Sequence, residues 1–493
     1  MPFNSIASRK AFTARQRRRP LVAALAALLA CASPQLLATP ADGAPSPPAP
    51  RVPTVVGNCN DAGSGSLRDA VSHAADGDTI DLTQLSCSVI SLSTGAIVIG
   101  ARDLTLHGPG ADGLLIHSAG HPGDGVLYSL VDGTLKVQDL SIAFGSKYSD
   151  SGGAHGGCIF SLGNVELDGA HVYACTTHST GSVDGAGGAV YAAGNVKLVS
   201  SVVNLGGVTT AGGNGKGGGV FAGGDLTMAY SRISDFRVAA AGSGSGGGAY
   251  AGGTLMAKYS TISDNSVDEV TNSSGGGVAA YGGATILFTT ISGNHAHVGG
   301  GVFLGSGASG ADALIVDSTL SGNTAAAGGG MTTNVPLSLY NSTIAFNTIP
   351  FHSGGVIGTV QAAGLDLRAS PVRIDGSIIA GNLATGTPDI PRDVGGEVSI
   401  TVSGSHNLIN YIGQTGLTGT IDADPLLGSL HLNVGMTATH ALLPGSPAID
   451  AGNNTRNVGT DQRGDGFPRV LGVSPDIGAF EYDPDRIFVD GFE

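Results

Sequence analysis

The acidic side chains are the first candidates for chemistry, because enzymes that cleave polysaccharides need several carboxylates close together. Hydrolysis uses one carboxyl group to protonate the leaving oxygen and another to activate water. A lyase uses calcium-binding acids beside a basic residue that takes a proton. No two Asp residues are adjacent in this chain, and the outward acids Asp168, Asp317 and Asp375 are separated by repeats without acids. The sequence therefore predicts no catalytic residues.

Two other groups contain residue types that bind metals. His295 and His297 supply two nitrogen ligands, but they lie in a variable loop without a third. A mixed cluster near the C-terminus suits either calcium or a structural ion-pair network, and we expect the network. Its members are Asp461, Arg463, Asp465, Asp476 and Glu481. We predict no metal site and no cofactor.

Four cysteines follow an N-terminal export signal. Residues 1–32 combine a basic stretch with the apolar run Leu21 to Ala32, which is typical of a signal peptide and too short to span a bilayer. Cys31 lies at its end, and its lipidation is an open alternative. Export favours a disulfide between Cys59 and Cys87. Cys158 and Cys175 either pair or stay as buried thiols.

Charge and composition exclude several partners. Residues 33–53 form a Pro-rich linker, and no later segment is long and apolar enough to span a membrane as a helix. The formal net charge is -15, without a basic patch, so nucleic acid is not expected as a partner. We predict a monomer, secreted or at the cell surface of a bacterium.

A glycine-marked repeat is the strongest pattern in the chain. The 82 Gly residues include Gly-Gly steps that recur every 24 to 31 residues and lead into short apolar strands. Such a period indicates a solenoid. The strands alternate over five or six residues, as in Leu314 to Leu320, and no helical period is sustained. The steps end at Gly157, Gly188, Gly219, Gly248, Gly277, Gly301, Gly330 and Gly355.

Two polar columns accompany this period. A Ser or Thr begins the second strand at Ser260, Thr289, Ser318, Ser342 and Ser377, and an aliphatic residue follows two positions later. An Asn stands five positions later, at Asn265, Asn294, Asn323, Asn347 and Asn382. We expect a corner where Asn adopts left-handed backbone angles and stacked amides bond along the axis. The three preceding coils place Cys175, Leu205 and Phe236 in this column.

These patterns predict an all-β fold: a right-handed parallel β-helix of roughly ten coils, capped at both ends. Residues 54–150 hold the N-terminal cap and first coils, and residues 151–400 hold the regular repeats. Residues 401–484 hold the last coils and the C-terminal end, followed by the tail 485–493.

Both ends resemble bacterial extracellular β-helix proteins. The segment Ser66 to Ala70 (SLRDA) is similar to the core of a CSLREA-type entry, with Gly65 at the position of its cysteine and a capping helix over Leu67 to Ala75. The stretches DADPLLGSL, THALLPGSPAIDAGNN and DQRGDGFPRVLGVSPDIGAFEY resemble the choice-of-anchor Q domain, and the glycine coils resemble polymorphic outer membrane protein repeats. The resemblance covers residues 55 to 482. It implies a surface-exposed or secreted β-helix and no established reaction.

Two functions fit this scaffold. The first is a non-catalytic, adhesin-like protein that binds a glycan or another cell surface. Its support is a set of tyrosines that would form ladders, although ordinary strand residues give the same pattern: Tyr191, Tyr230, Tyr250, Tyr259 and Tyr281. The alternative is a lyase or glycoside hydrolase acting on an acidic polysaccharide, since fold does not fix function.

Overall fold

The structure is a computed structural model that describes residues 52–120, 123–268, 273–307, 309–350, 359–386, 389–397, 399–413 and 416–485. These residues fall within one compact unit, Arg51–Glu493. The predicted signal peptide with Cys31, the linker up to residue 51, Gly355 and the tail from residue 486 lie outside the described residues. The assignments made for them stay predictions, as do the segment boundaries at residues 150 and 400.

Three long sheets of parallel strands form the solenoid. Each coil contributes one strand to each sheet, and strands of successive coils pair in register, as Ile291 does with Leu320. Parallel strands of one sheet are joined by right-handed crossovers. The described chain is therefore a right-handed parallel β-helix, with 11 parallel strands in its third sheet where roughly ten coils were predicted.

The first sheet contains 14 strands in the described residues, in chain order. They are Thr54–Val55, Thr79–Asp81, Thr105–His107, Thr134–Gln138, Asn164–Asp168, Val196–Val199, Leu226–Ala229, Leu255–Lys258, Ala284–Leu287, Ala313–Val316, Leu337–Tyr340, Val372–Asp375, Val402–Ser405 and Leu417–Thr418.

The second sheet also has 14 strands in that part of the chain. Its main path comprises Val89–Leu92, Leu115–Ser118, Ser141–Ala143, His171–Ser179, Val202–Thr210, Arg232–Ala240, Thr261–Ser263, Thr290–Ser292, Thr319–Ser321, Thr343–Ala345, Ile378–Ala380 and Leu408–Ile409. Two further strands, Ser146–Ser149 and Ser266–Val267, extend the three long central strands on either side.

The third sheet contains the strand that follows each glycine step. Its parallel strands are Ile97–Ile99, Leu127–Ser129, Ile159–Ser161, Val190–Ala192, Val220–Ala222, Ala249–Ala251, Val278–Ala280, Val302–Leu304, Met331–Thr333, Leu365–Leu367 and Val394–Glu397. An antiparallel strand, Thr359–Val360, completes it.

Three small sheets accompany the solenoid. A fourth sheet precedes the third in several coils: Ala154–His155, Gly185–Ala186, Gly215–Lys216 and Gly244–Ser245. The others are Thr348–Pro350 with Leu383–Thr385 and Ile390–Pro391, and the antiparallel pair Leu427–His431 and Thr439–Leu442.

Stacked aliphatic side chains fill the interior. In the second sheet the predicted column is continuous, and each side chain is 0 % exposed: Ile262, Ile291, Leu320, Ile344 and Ile379. Full burial of one such side chain contributes about 1.5 to 3 kcal/mol relative to exposure. Because each coil contacts only its neighbours, this core is a sum of repeated interfaces.

A column of buried hydroxyl groups satisfies the backbone where the first sheet turns into the second. The Ser260 Oγ accepts a hydrogen bond from the Ser231 backbone N–H of the preceding coil and donates to the Lys258 carbonyl. The same two bonds recur at Ser318 and Ser342. Water cannot reach these amides, so the hydroxyls replace it.

The Asn column forms a buried amide ladder. The Asn294 Nδ2 and backbone N–H both donate to Asn323 Oδ1, at 2.9 and 3.0 Å, and Nδ2 also donates to the Ile262 carbonyl. Equivalent bonds join all five asparagines. The last, Asn382, donates to the carboxylate of Asp393, which the sequence analysis did not identify. Burial raises the pKa of Asp393 to about 6 against the effect of these hydrogen bonds.

The expectation that these asparagines adopt left-handed angles is wrong. The residue immediately before each Asn has the positive φ: Asp264, Gly293, Gly322, Phe346 and Gly381. The Asn side chain must point inward to reach its neighbours, so the preceding residue turns the chain and points outward. Burial of an inward amide, and not tolerance of an unusual backbone, explains the recurrence of Asn.

Two register assignments also need correction. Cys175 pairs with Gly206 and Gly206 with Phe236, so Gly206 occupies the ladder column and Leu205 the outward position with φ 64°. The sequence alignment started from Ser200, whereas Ser201 carries the buried hydroxyl. In the glycine series, the residue that follows Gly330 is Gly364 and not the predicted Gly355. The pairing of Met331 with Leu365 places Gly364 there.

The helix Leu67–Ser72 covers the N-terminal end of the solenoid, ending three residues before the predicted Ala75. The Ser66 hydroxyl caps it by accepting from the Asp69 N–H, and Leu67, Ala70 and Val71 are buried. The Arg68 guanidinium donates to the carbonyls of two residues in the first coil and to Asp61 at 2.7 Å. Arg68 thus ties the helix to the first coil. In the part of the chain that the structure describes, no helix is long and apolar enough to cross a membrane.

We predict that Asn323→Ala lowers the free energy of unfolding by about 3 kcal/mol or more. The change leaves the backbone N–H of Asn294 and one of its two Nδ2 hydrogens without an acceptor, at about 1 to 3 kcal/mol for each buried unpaired group. Chemical denaturation followed by circular dichroism measures it.

Asn195→Ala is the matched control. The Asn195 Oδ1 also accepts from a backbone N–H of the next coil, that of Asp225, but the side chain is exposed and water replaces it. We expect a loss below about 1 kcal/mol. Equal losses in the two variants would contradict the role of the buried ladder.

Candidate functional site

A ladder of aromatic rings runs along the outer face of the third sheet. Neighbouring ring centroids are 4.8 to 6.0 Å apart, and the central rings are almost parallel, at 3° between Tyr191 and Phe221 and 5° between Phe221 and Tyr250. All seven rings are half-buried. The aromatic ladder comprises Tyr128, Phe160, Tyr191, Phe221, Tyr250, Tyr281 and Phe303.

The register of the third sheet positions these rings. Each is the middle residue of its three-residue strand and points away from the core, with one exception. The residue in register with Tyr250 and Phe303 is the small Ala279, and Tyr281, two residues further on, fills the space. Parallel strands lie about 4.8 Å apart, which brings the rings into stacking distance.

The outer residues of the fourth sheet face this ladder. The His155 ring stacks on Tyr191 at 4.8 Å, the Lys216 Nζ lies 5.4 Å from the Tyr250 ring, and the Ser245 hydroxyl lies 3.5 Å from that of Tyr281. At the other end the Lys147 Nζ lies 5.0 Å from the Tyr128 ring. We call the surface formed by the ladder and these contacting side chains the aromatic groove.

Glycine steps make the bend between the two sheets. Gly187 has φ 62°, and a Cβ at Gly188 would overlap the carbonyl of Gly218 in the next coil. Larger residues at these positions would separate the coils. The glycine period therefore sets both the solenoid repeat and the concave side of the groove.

The groove presents polar groups in neutral form. Burial raises the pKa of the Tyr191 and Tyr250 hydroxyls, so both remain protonated and able to donate. Burial lowers the pKa of His155 against the opposing charge of Asp184, so its imidazole is neutral near pH 7. Because Phe160, Tyr191, Phe221 and Tyr250 stack face to face, the middle of the ladder exposes ring edges.

The predicted tyrosines fall on two different surfaces. Tyr191, Tyr250 and Tyr281 belong to the aromatic ladder, whereas Tyr230 and Tyr259 stack with Phe288 at the corner between the first and second sheets. The sequence analysis did not identify Tyr128, the three ladder phenylalanines, His155, Lys147 or Lys216. In most coils the ring belongs to the residue that follows the first inward residue after the glycine step. Aligning these residues in the sequence would have found most of the rings.

The acidic residues form two sets. On the first sheet, the Lys136 Nζ lies 3.4 Å from Glu166 and 3.3 Å from Asp168, and the Lys197 Nζ lies 3.2 Å from Glu166. Burial alone would lower the pKa of Lys136, but the hydrogen bond to Asp168 and the charge of Glu166 raise it overall. This amine stays protonated near neutral pH and does not suit the role of a base.

The acids predicted to point outward, Asp168, Asp317 and Asp375, do not lie in one column. Asp168 and Asp375 are each the last residue of a strand in the first sheet. Both are in the same register column as Val316. Asp317 is one residue later, at a corner with φ 43°. Asp317 and Asp375 are also buried, at 0 and 1 % exposure, because later parts of the chain cover them.

The C-terminal segment, residues 424–482, docks on the outer face of the second sheet. The Gln462 side chain accepts from Thr319 at 2.6 Å and donates to Thr290 at 2.9 Å. The Ala479 N–H donates to Thr343, and the His440 ring bonds with Ser321. With the Gly478 N–H, which donates to the Gly376 carbonyl, these contacts join residues more than one hundred positions apart and attach the segment across four coils.

Two buried arginines hold this segment together. Arg463 donates to Asp461 at 2.6 Å and lies between the rings of Phe467 and Phe480, at 4.1 and 3.8 Å. Arg469 pairs with Asp317 at 3.4 Å and lies 3.7 Å from Glu481. Asp465 is exposed and lies apart from this network, while Asp317 and Arg469 are members that the sequence analysis did not identify. Long-range docking brings them together, and no local pattern marks it.

These carboxylates converge without access to solvent. Asp317, Asp461, Asp476 and Glu481 are 0 to 2 % exposed. Burial raises the pKa of Glu481 to about 7 against the charge of Arg469, and burial raises those of Asp317 and Asp476. Glu481 and Asp476 accept backbone N–H groups of the same segment. The network closes the fold, and a pocket lined by Ile449, Asp450, Leu471, Asp476, Glu481 and Tyr482 lies beside it.

The remaining predicted sites are structural. His295 forms one parallel bridge with Ser266 and another with Thr324, so it does not lie in an irregular loop. No group of three or more His, Cys, Asp or Glu side chains in the described residues is placed to hold a metal. Cys59 and Cys87 form a disulfide with Cα atoms 6.4 Å apart, and Cys158 and Cys175 form another at 5.5 Å.

Comparisons with known proteins show little. No protein-family model matches the sequence, and no curated protein matches it. Among solved structures, the crystal structure of pectate lyase Pel9A aligns with 88 % of this chain and 97 % of that chain, at 12 % identity and a TM-score of 0.39.

We predict that Arg469→Met lowers the free energy of unfolding by about 3 to 5 kcal/mol, because it leaves Asp317 and Glu481 buried without a cation. Arg237→Met is the control, since Arg237 pairs with Asp268 at 2.7 Å on the surface and should contribute below about 1 kcal/mol. Thermal unfolding and limited proteolysis within residues 424–482 measure both. Equal effects would show that the buried pairs do not hold the segment.

The raised pKa of Glu481 predicts how stability depends on pH. The folded pKa of about 7 exceeds the unfolded value of about 4.5, so the folded protein binds the extra proton between these pH values. The contribution is present below pH 4.5 and is lost as pH rises through 7. The stability of the wild type relative to Glu481→Gln should therefore fall between pH 5 and pH 8. A constant or rising difference would contradict this assignment.

Proposed function

We propose that this chain is an exported, extracellular or cell-surface β-helix protein that binds an extended polysaccharide along the aromatic groove without cleaving it. The observation that carries the proposal is the continuous ladder of seven rings facing polar side chains. Export is supported by the N-terminal basic and apolar sequence and by the pairing geometry of the four later cysteines.

The dimensions of the groove suit a linear glycan. The coil spacing of about 4.8 Å is close to the length of one pyranose unit in an extended chain. Each coil of the ladder can therefore offer one unit the edge of an aromatic ring. Tyrosine hydroxyls and Ser245 supply hydrogen bonds, and phenylalanine edges contact the apolar C–H groups of sugars.

Binding should depend on the middle of the ladder. We expect the purified protein to bind one or more polysaccharides in a glycan-array screen, and Tyr191→Ala with Tyr250→Ala to weaken that binding at least tenfold. Affinity electrophoresis and calorimetry measure the loss, with thermal unfolding to verify the fold.

Tyr230→Ala is the matched control. Tyr230 is also a stacked, half-exposed tyrosine, but it lies at the corner outside the groove. It should leave affinity unchanged. No binding to any polysaccharide, or equal loss in this control, would overturn the proposal.

The catalytic alternative has a separate test. One place for a lyase or hydrolase site is the group of partly buried charges around Lys136, whose ion pairs oppose proton abstraction. We expect no chain shortening of uronic-acid polymers during prolonged incubation. Shortening that Glu166→Gln abolishes would establish the enzyme in place of the binding protein.

A further inference from the structure

A cavity of about 580 Å³ lies where the C-terminal segment begins, and none of its lining residues belongs to the aromatic groove. Its apolar lining includes Phe346 from the solenoid and Leu426, Leu427 and Leu443 from the C-terminal segment. Two of these leucines are neighbours, because the Leu443 N–H donates to the Leu426 carbonyl at 2.9 Å. A cavity of this volume is of the usual size for a small-molecule site.

The apolar side chains around this cavity are open to solvent. Phe346 is 46 % exposed, Leu426 is 36 % exposed and Leu443 is 45 % exposed. Exposed apolar side chains that are scattered singly are ordinary on a protein surface. Three that line one concave site indicate a ligand that covers them.

The solenoid does not require a phenylalanine at position 346. Phe346 has φ 58°, in the left-handed region, and Gly322 and Gly381 occupy the equivalent position in the adjacent coils. A bulky residue is strained there, whereas glycine is not. The ring lies over Gly381, where a Cβ would come within 3.2 Å of it, and its centroid is 5.0 Å from that of the His440 ring. A strained residue that the fold does not need points to a function.

The polar groups of the cavity are hydrogen-bond acceptors. Among the described residues that line it, Asp424 is the one with a charged side chain, and this carboxylate is exposed. The Leu426 N–H donates to Asp424 Oδ1 at 2.9 Å, which holds the carboxylate in place. The Asn410 Nδ2 group donates to the Ala423 carbonyl at 2.9 Å, so the Asn410 Oδ1 is able to accept. The cavity therefore repels an anion and attracts a positively charged donor.

We propose that this cavity binds a small apolar molecule that carries an ammonium group. The apolar part of the ligand lies between Phe346 and the leucines, and its ammonium group donates to Asp424 and Asn410. The site is separate from the aromatic groove, so it adds a second binding activity and does not depend on the proposed function.

Three probes of similar shape test the charge preference: phenylbutylamine, phenylbutanol and phenylbutyrate, each titrated into the full protein by ligand-observed NMR. We expect the amine to bind about tenfold more tightly than the alcohol, and the carboxylate to bind most weakly. Asp424→Asn removes the charge and keeps the Oδ1 that accepts from Leu426, so the amine and the alcohol should then bind alike. No binding of any probe, or carboxylate binding as tight as that of the amine, would overturn the proposal.

Phe346→Gly tests the apolar lining. It introduces the residue of the adjacent coils and relieves the strain, so thermal unfolding should stay close to that of the wild type while the amine binds about tenfold more weakly. Phe144→Gly is the matched control, because Phe144 belongs to the same column, with φ 59° and 51 % exposure, and does not line the cavity. It should leave the affinity unchanged. Equal losses of affinity in the two variants would contradict the assigned site.

Discussion

Every coil of this solenoid must find acceptors for backbone N–H groups that its corners bury. The hydroxyl column through Ser260 and Ser318 does this at one corner, and the amide ladder through Asn294 and Asn323 does it at the next. Since each acceptor belongs to the following coil, one misplaced residue would leave donors unpaired in two coils. This requirement fixes the register of the strands, and the register fixes every side chain on the outside.

The aromatic groove is a product of that register. Its rings lie one above another because the glycine steps, such as Gly187 and Gly188, give successive coils the same bend and let them approach closely. No separate binding domain is needed, since six of the seven rings repeat the outward residue of one short strand. The C-terminal segment uses the opposite approach. It covers four coils of the second sheet with unrepeated contacts centred on Arg469.

Repetition also explains what the sequence could predict. Glycine spacing and the recurrence of Ser and Asn identify the parallel solenoid and its buried columns, because each is observed several times. Single events were missed. Asp317 reads as an outward acid until Arg469, some 150 residues later, covers it, and Leu205 is displaced by one position because two adjacent serines, Ser200 and Ser201, offer equal alignments. The aromatic groove could not be predicted without knowing which side chains of each strand point out of the solenoid.

The amide ladder has a direction. Every Nδ2 group donates toward the C-terminal end, so the amide dipoles add along the axis, and the carboxylate of Asp393 lies at their positive end. An additional coil with the same Asn, inserted anywhere between Asn265 and Asn382, would restore every bond that it interrupts. The ladder thus allows such proteins to change length by gene duplication in units of one coil.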